Sequence, residues 1–435
     1  MLRSALAPGY HISRLWRSEH VWPSEHISRL WRSEHIGPPE HVSYLWRYEP
    51  LRRTSINLTP GVAIITGASG QDGYFLTERL LREGWVVHAT TRTPEALQSF
   101  DLPDAQSRLH VHQIDLLHLT ALDDLISRTQ PDEFYNLAGQ SSVSKSFADP
   151  MYTWRTNAQT VVHLLECIRT RSAETRFYQA SSTDMFGVLP GTTSHYEESS
   201  ALNPQSPYAS AKAAAHMLCH SYRQAYDLRI ACGILANHES HRRPASFLSR
   251  KIVDHVLHLM RLPRTEIARH APLSLGNLKV RRDWGFAPDY VEGICKVLRQ
   301  IDVRADVTGV RNETDKGQNY RDYVLATGET HAVWEMVACA FTIGGFELDW
   351  NLEGDDPASW HAVFRSSGTP AVIVNPDLLR AAEPLTIQVD PRRARKELGW
   401  ASRKGLEVFL DDMISKLSVA GRKACEAGER VKPGA

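Results

Sequence analysis

The stretch VAIITGASGQDGYFLTERLLREG, from Val62 to Gly84, leaves the fewest folds open to this chain. Its first five residues form the continuous apolar run of a strand buried on both faces. Gly67, Gly70 and Gly73 follow as a G-x-x-G-x-x-G turn. Leu76 and Leu80 then recur at helical spacing, and Gly84 reads as the helix stop. A strand that passes through a glycine-rich turn into a helix is the local signature of a dinucleotide site. The glycines let the backbone approach a pyrophosphate, and the helix N-terminus favours its charge. Gln71 and Asp72 lie between these glycines and join Gly67, Gly70 and Gly73 in the expected cofactor-binding set. A structural loop without ligand is the plainer reading of a glycine triplet taken alone.

The second expected strand, WVVHAT, leads into Thr91 and Arg92. In a dinucleotide-binding fold an acidic side chain here bonds the adenine ribose 2′-hydroxyl. An arginine suits a 2′-phosphate instead, so the expected cofactor is NADP; the alternative is an ordinary surface arginine. LHVHQID gives a third strand up to Asp115, with Leu116 next to it, and DEFYNLAG a fourth that runs out through Leu137 and Ala138. All four residues are expected beside the cofactor. Helical segments TALDDLISR and NAQTVVHLLECIR separate the strands. The expected class is α/β, a doubly wound parallel-sheet Rossmann domain with a smaller C-terminal α/β substrate-binding domain. Residues 61–241 would form the first, and 242–418 mainly the second, with segments returning to the Rossmann domain; 419–435 would be a tail.

A fifth strand, TRFYQAS, delivers Ser181, Ser182, Thr183 and Asp184 to its carboxyl end. Such a cluster is a common polar turn, but the carboxyl ends of strands are where these sheets bind ligands. Farther on, NPQSPYASAK sets Tyr208 and Lys212 four apart on one helix face. An ammonium beside a phenol favours the phenolate and lowers a pKa ordinarily near ~10. The pair alone is weak evidence. With a phosphate loop and a hydroxyl-bearing strand end, it points to a proton-transfer centre.

At these residues the chain resembles the extended short-chain dehydrogenases, and more narrowly the GDP-mannose 4,6-dehydratase family. The narrower resemblance rests on ITGASGQDGYFL, YNLAGQSSVSKSFADP, GILANHESHRRPASFLSRKI, LGNLKVRRDWGFAPDYVE, DYVLATGETHAV and RAAEPLTIQVDPRRARKELGW, and extends from about Val62 to Leu417. It implies that Tyr208 takes the sugar 4-hydroxyl proton, that Lys212 holds the nicotinamide ribose, and that Ser182 bonds the 4-hydroxyl where the family has threonine. Asp184 would remove the C5 proton where the family has glutamate. It further implies a substrate set of Asn237, Lys251, Arg282, Arg380 and Glu383, a GDP-mannose or related GDP-sugar substrate, and no metal. Asp184 is one methylene shorter than glutamate, which keeps open an NADP-dependent nucleotide-sugar reductase or epimerase; a nucleotide-sugar-binding homologue without catalysis is a further alternative, against which Tyr208 and Lys212 weigh. Thr93 stands where the family often has a second arginine at a neighbour's cofactor region. The resemblance therefore implies a homodimer, with a tetramer as the alternative.

Composition closes other classes. Fifty basic residues balance fifty acidic ones, so no net field recruits nucleic acid or an anionic membrane. Six scattered cysteines without a CxxC pair argue against a disulfide framework or zinc site and fit a reducing compartment. With no apolar run long enough to span a bilayer, the expected location is the cytoplasm. Residues 1–60 stand apart. HISRLWRSEH begins at His11 and again at His26, and HVSYLWRYEP follows at His41. Pro23, Pro38 and Pro39 break any continuous helix. The units read as a translated DNA repeat ahead of a later start, or as short amphipathic turns for a partner, and enter no fold argument.

Overall fold

In the computed structural model, the residues described are 60–426, apart from 98–99, 101, 103, 189–194, 309–315 and 381–383; the repeat at 1–60 lies almost wholly outside them. Six strands follow one another through the first half: β1 (Val62–Thr66), β2 (Val86–Thr91), β3 (Leu109–Gln113), β4 (Glu133–Asn136), β5 (Arg176–Ser182) and β6 (Ile230–Leu235). Four more follow: β7 (Leu273–Leu275), β8 (Tyr323–Leu325), β9 (Leu348–Asn351) and β10 (His361–Phe364). The last is β11 (Pro370–Val374). The main sheet has seven strands, all parallel, in the order β8-β6-β5-β4-β1-β2-β3. Its order reverses between β1 and β4, the switch point where such sheets open a crevice for ligands. The expected third and fourth strands end earlier than read from sequence, at Gln113 and Asn136, so Asp115, Leu137 and Ala138 fall in the loops beyond them.

Side-chain alternation divides the sheet between two cores. Ile64, Phe134, Phe177 and Ile230 face one way, under α2 (Leu119–Thr129), α3 (Thr160–Arg171) and α4 (Pro207–Tyr226). Ala63, Ile65, Tyr135 and Tyr178 face the other way, under α1 (Gln71–Arg82) and α6 (Ala287–Leu298). A smaller sheet, in the order β9-β10-β11-β7, packs its apolar face on α5 (Leu248–Leu259), α7 (Val333–Ile343) and α8 (Leu406–Glu426). β8 and α6 come from the second half of the chain yet complete the first sheet and its cover. Among the described residues, no helix is long and apolar enough to cross a membrane.

The register of the middle strands places an apolar row directly before a polar one. Ile64, Phe134 and Phe177 lie side by side, with the two rings stacked at 5.3 Å. Two residues on, Thr66, Asn136 and Gln179 line up on the same face, all buried. Thr66 Oγ1 donates to Asn136 Oδ1 (2.8 Å), and Asn136 Nδ2 donates to Gln179 Oε1 (2.8 Å). Gln179 Nε2 then donates to the Ala180 carbonyl (3.0 Å). Replacing Asn136 by leucine would leave Thr66 and Gln179 buried without these partners, at about 1–3 kcal/mol per stranded group. We expect Asn136→Leu to lower the free energy of urea unfolding by about 2 kcal/mol; a change within error of zero would show that the ladder does not hold the strands.

Candidate active site

The turn after β1 is shaped by its glycines. Gly67 has a φ of +69°, and a Cβ there would fall 2.8 Å from the Ala138 Cα. A Cβ on Gly73 would fall 2.3 Å from the Gly67 carbonyl oxygen, so the first turn of α1 lies directly on the loop. Gly70 is the N-cap of α1, and a Cβ there would meet nothing closer than that same oxygen at 3.1 Å. The first N–H groups of a helix have no carbonyl one turn back. Here they face a side that no side chain at residue 70 obstructs, and this cradle fits the pyrophosphate of a dinucleotide.

The side chains of Gln71 and Asp72 are bonded to the segment that follows β6. Gln71 Nε2 donates to the His238 carbonyl (2.9 Å), and Gln71 Oε1 accepts from Ser240 Oγ (2.8 Å). Asp72 Oδ2 lies 2.9 Å from His238 Nε2, while His238 Nδ1 lies 2.7 Å from the Ala236 carbonyl. The imidazole therefore meets an acceptor on each nitrogen, and its pKa is raised: Asp72 outweighs the opposing effect of burial. Burial pushes the Asp72 carboxyl up, but the charge and hydrogen bond of His238, with the charge of Arg243 and the hydrogen bond of Gln71, together hold it below its ordinary value. His238 and Ser240 were not singled out from the sequence, since nothing local announces a contact 166 residues away.

The remaining cofactor candidates line the strand ends from β4 to β3. Leu137 N and Ala138 N both donate to Thr66 Oγ1 at 3.1 Å. Thr91 Oγ1 donates to Ser69 Oγ in the glycine loop (2.6 Å), and Arg92, the next residue, reaches the Tyr152 hydroxyl at 3.1 Å. Asp115 Oδ1 accepts from Leu117 N (2.9 Å), beside Leu116 in the same turn.

β5 ends at Ser182, and Thr183–Met185 form a single 3₁₀ turn. Asp184 therefore lies beyond the strand that carries Ser182. It belongs to a turn whose N–H bonds Ser182 Oγ (3.3 Å). The turn still directs Asp184 into a cavity of about 360 Å³, lined also by Gly187, Gln205, Ser206, Arg282 and Arg380. Burial raises the Asp184 carboxyl above its ordinary pKa, and Arg282 and Arg380 pull the other way.

α4 brings Tyr208 and Lys212 to this place. Ser206 caps it, accepting from Ala209 N (3.0 Å), and Pro207 opens its first turn. Tyr208 is buried there, with Ser182 close enough to its hydroxyl to favour the phenolate. Lys212, one turn on, donates to the Ala180 carbonyl at 2.9 Å. Burial pulls the ammonium down to about 8. The phenol does not become acidic as the lysine pairing suggested. Burial, reinforced by Asp184, raises its pKa, while the Ser182 bond and the charge of Arg243 oppose the rise. Arg243, ion-paired with Glu239 at 3.1 Å, is thus a cation whose charge is felt at the phenol and that the sequence left unmarked.

The substrate candidates are more dispersed. Arg282 Nη1 donates to the carbonyls of Arg281 and Pro384, both at 2.8 Å, which fixes it at the cavity wall. Asn237 opens a short strand, Asn237–Glu239, paired with Trp284–Phe286. Lys251 lies on α5 and donates to the Ser274 carbonyl (2.7 Å). Neither is among the described residues lining the cavity around Asp184. Glu383 lies outside the described residues.

Comparisons with known proteins place this arrangement. A dTDP-glucose 4,6-dehydratase from Bacillus anthracis, solved with NAD, superposes with a TM-score of 0.62 at 18% identity, covering 84% of this chain and 98% of that one. RMD from Pseudomonas aeruginosa, solved with NADPH, gives 0.59 at 20% identity, covering 83% and 100%. These likenesses establish the fold. The GDP-mannose 4,6-dehydratase of Sinorhizobium fredii is 34% identical over 362 residues, which cover 81% of this chain and 95% of that protein. The family model described as GDP-mannose 4,6 dehydratase matches residues 64–413, and with that match the chain belongs to the GDP-mannose 4,6-dehydratase family.

Proposed function

We propose that the protein removes water from GDP-mannose to give GDP-4-keto-6-deoxymannose, with NADP as an internally recycled cofactor. The observation that carries this reading is the meeting of Ser182, Asp184 and Tyr208 at one strand end, beside a cavity walled by Arg282 and Arg380. When bound, the nicotinamide supplies an acceptor for the C4 hydride and later returns that hydride to C6. Ser182 would hold the 4-hydroxyl, and Tyr208 would take its proton. Lys212 and Arg243 supply the positive charge that makes a buried phenolate attainable. The 4-ketone acidifies C5–H, so Asp184 needs only an ordinary carboxylate's basicity to remove that proton; it would pass the proton to the C6 hydroxyl, which leaves as water, and the proton taken by Tyr208 would go to C5 as the hydride returns to C6. Arg282 and Arg380 would clamp the diphosphate, with Asn237, Lys251 and Glu383 farther along the nucleotide.

The pyrophosphate would lie on the start of α1, and Arg92 would face the 2′-phosphate. Apolar side chains stand exposed on α4 (Met217, Tyr226) and on the adjoining short helices Val143–Ala148 and Pro150–Trp154 (Phe147, Met151, Trp154). This surface supports a homodimer through α4. The competing reading, a reductase or epimerase of the same family, draws on the short reach of Asp184 from its turn; a misplacement of about 1 Å can cost ~100-fold.

Incubation with GDP-mannose and catalytic NADP should yield a product lighter by one water in a mass spectrum. A product of unchanged mass would favour epimerisation. Asp184→Asn should lower water loss by about 100-fold or more and stop C5 exchange in heavy water, while bound NADP is still reduced in part. Asp184→Asn turning over like the parent would reduce this residue to a turn former.

For the cofactor, calorimetry should find NADP bound at least about tenfold tighter than NAD, about 1.4 kcal/mol, with the gap narrowed in Arg92→Ala. Equal affinities in the parent protein would remove Arg92 from the 2′-phosphate.

Lys212 generates a pH dependence. Its ammonium is charged below about 8 and loses its proton above that value. NADP affinity should therefore fall as pH rises through 8, and Lys212→Met should be weaker and flatter over the same range. A parent profile that stays level up to pH 9.5, well past that value, would place the lysine away from the cofactor.

A further inference from the structure

Three histidines meet at the outer edge of the main sheet, apart from the site described above. β2 and β3 run parallel with His88 opposite His110 and Thr90 opposite His112. His110 and His112 are two apart on the edge strand, so they share a face, and His88 shares it with them. The His88 ring stacks on His110 with centroids 4.8 Å apart and lies 5.2 Å from His112. His88 Nδ1 faces His112 Nε2 at 2.9 Å. Two imidazole nitrogens this close cannot both present lone pairs; one must donate a proton to the other.

We propose that His88, His110 and His112 form a binding site for a divalent transition-metal ion of the zinc class. A zinc–nitrogen bond of about 2.0–2.1 Å in a tetrahedral site sets two ligand nitrogens ~3.3 Å apart. His88 Nδ1 and His112 Nε2 reach that spacing by separating a few tenths of an ångström. The donating ring moves its proton to its other nitrogen, so two neutral rings ligate without a net loss of protons. His110 turns out of its stack to give a third nitrogen, and water completes the shell. Imidazole suits zinc, copper and nickel among the divalent metals. An imidazole ligates a metal through a neutral ring nitrogen, which the paired His88 and His112 rings can present once they part. Arg128 stands exposed near the end of α2, where it donates to the Asp124 carbonyl at 3.3 Å.

Two other clusters carry less. His216, Cys232 and Asp322 bring ligand atoms within 4.8 Å of one another, but both Asp322 oxygens already accept from Arg223, at 2.8 and 2.9 Å. A metal there would meet that fixed guanidinium. His255, His258 and His270 lie ring to ring with tilts of 47° and 40°, and serve as an internal control. A metal on the first cluster would clamp β2 to β3 just ahead of Thr91 and Arg92, whose place in the fold is the far end of the dinucleotide crevice.

The test titrates the full-length, metal-stripped, tag-free protein with Co²⁺, read by its visible d–d bands, with Zn²⁺ as competitor. The His88→Gln and His112→Gln variants should each bind at least tenfold more weakly than the parent, and His258→Gln should bind like the parent. Comparison with the parent cancels any binding by histidines of the N-terminal repeat. As a second measurement, Zn²⁺ should raise the thermal unfolding midpoint of the parent and of His258→Gln, and leave His88→Gln and His112→Gln unmoved. Absence of Co²⁺ binding to the parent overturns the proposal. Binding as tight in His88→Gln and His112→Gln as in the parent overturns it equally, as does binding that vanishes in His258→Gln.

Discussion

The buried ladder Thr66–Asn136–Gln179–Ala180 is the constraint on which the site depends. It ties the carboxyl ends of β1, β4 and β5 together at the level where the sheet stops being apolar. Each member supports a different functional piece. Thr66 precedes the glycine turn and receives the N–H groups of Leu137 and Ala138, so the two walls of the crevice are spaced by one hydroxyl. The Ala180 carbonyl at the other end also receives Lys212, which sets the depth of α4 against β5 and hence the place of Tyr208 over Ser182. Buried polar groups of this kind cost far more to leave unpaired than they return when paired. The strand ends are therefore held in one register rather than several.

Electrostatics in the centre follow from that burial. Tyr208, Asp184 and Lys212 are all taken from water, and each shifts toward its neutral form: the phenol and carboxyl upward, the ammonium downward. The protein opposes this with cations from distant chain segments, Arg243 near the phenol and Arg282 and Arg380 near the carboxyl. A centre poised in this way gains most from a charged ligand. Anionic phosphates beside these arginines, or a proton moved from substrate, change the balance more in a partly dry cavity than they would in water. The Asp72–His238 pair joins the start of α1 to the chain after β6, so the glycine turn and the segment Asn237–Glu239 are mechanically one piece.

The sequence was legible wherever the signal was local. Strand, turn and helix around Gly67 to Gly73 could be read because one short segment carries them all. Tyr208 and Lys212 could be read because four residues make a helical turn. The polar cluster after β5 was visible too, but its geometry was not. Asp184 leaves the strand for a 3₁₀ turn because Ser182 caps the N–H of residue 184, a hydrogen bond that no alternation rule contains. The acidity of Tyr208 was misjudged for a related reason. The i,i+4 lysine was evident, but the depth of burial that outweighs it depends on what the rest of the chain lays over the helix.

Taken alone, then, the sequence determined that a parallel α/β sheet would form, that its first strand would enter a helix through a glycine turn, and that a tyrosine–lysine helix would follow the fifth strand. Periodicity, glycine spacing and short-range motifs suffice for those conclusions. Only the tertiary structure decided which distant side chains share a space: Arg243 with Tyr208, Arg282 and Arg380 with Asp184, His238 with Asp72, and His88 with His112. Such meetings depend on strand order and register. These are set by how whole faces bury against one another, and no window of sequence contains them.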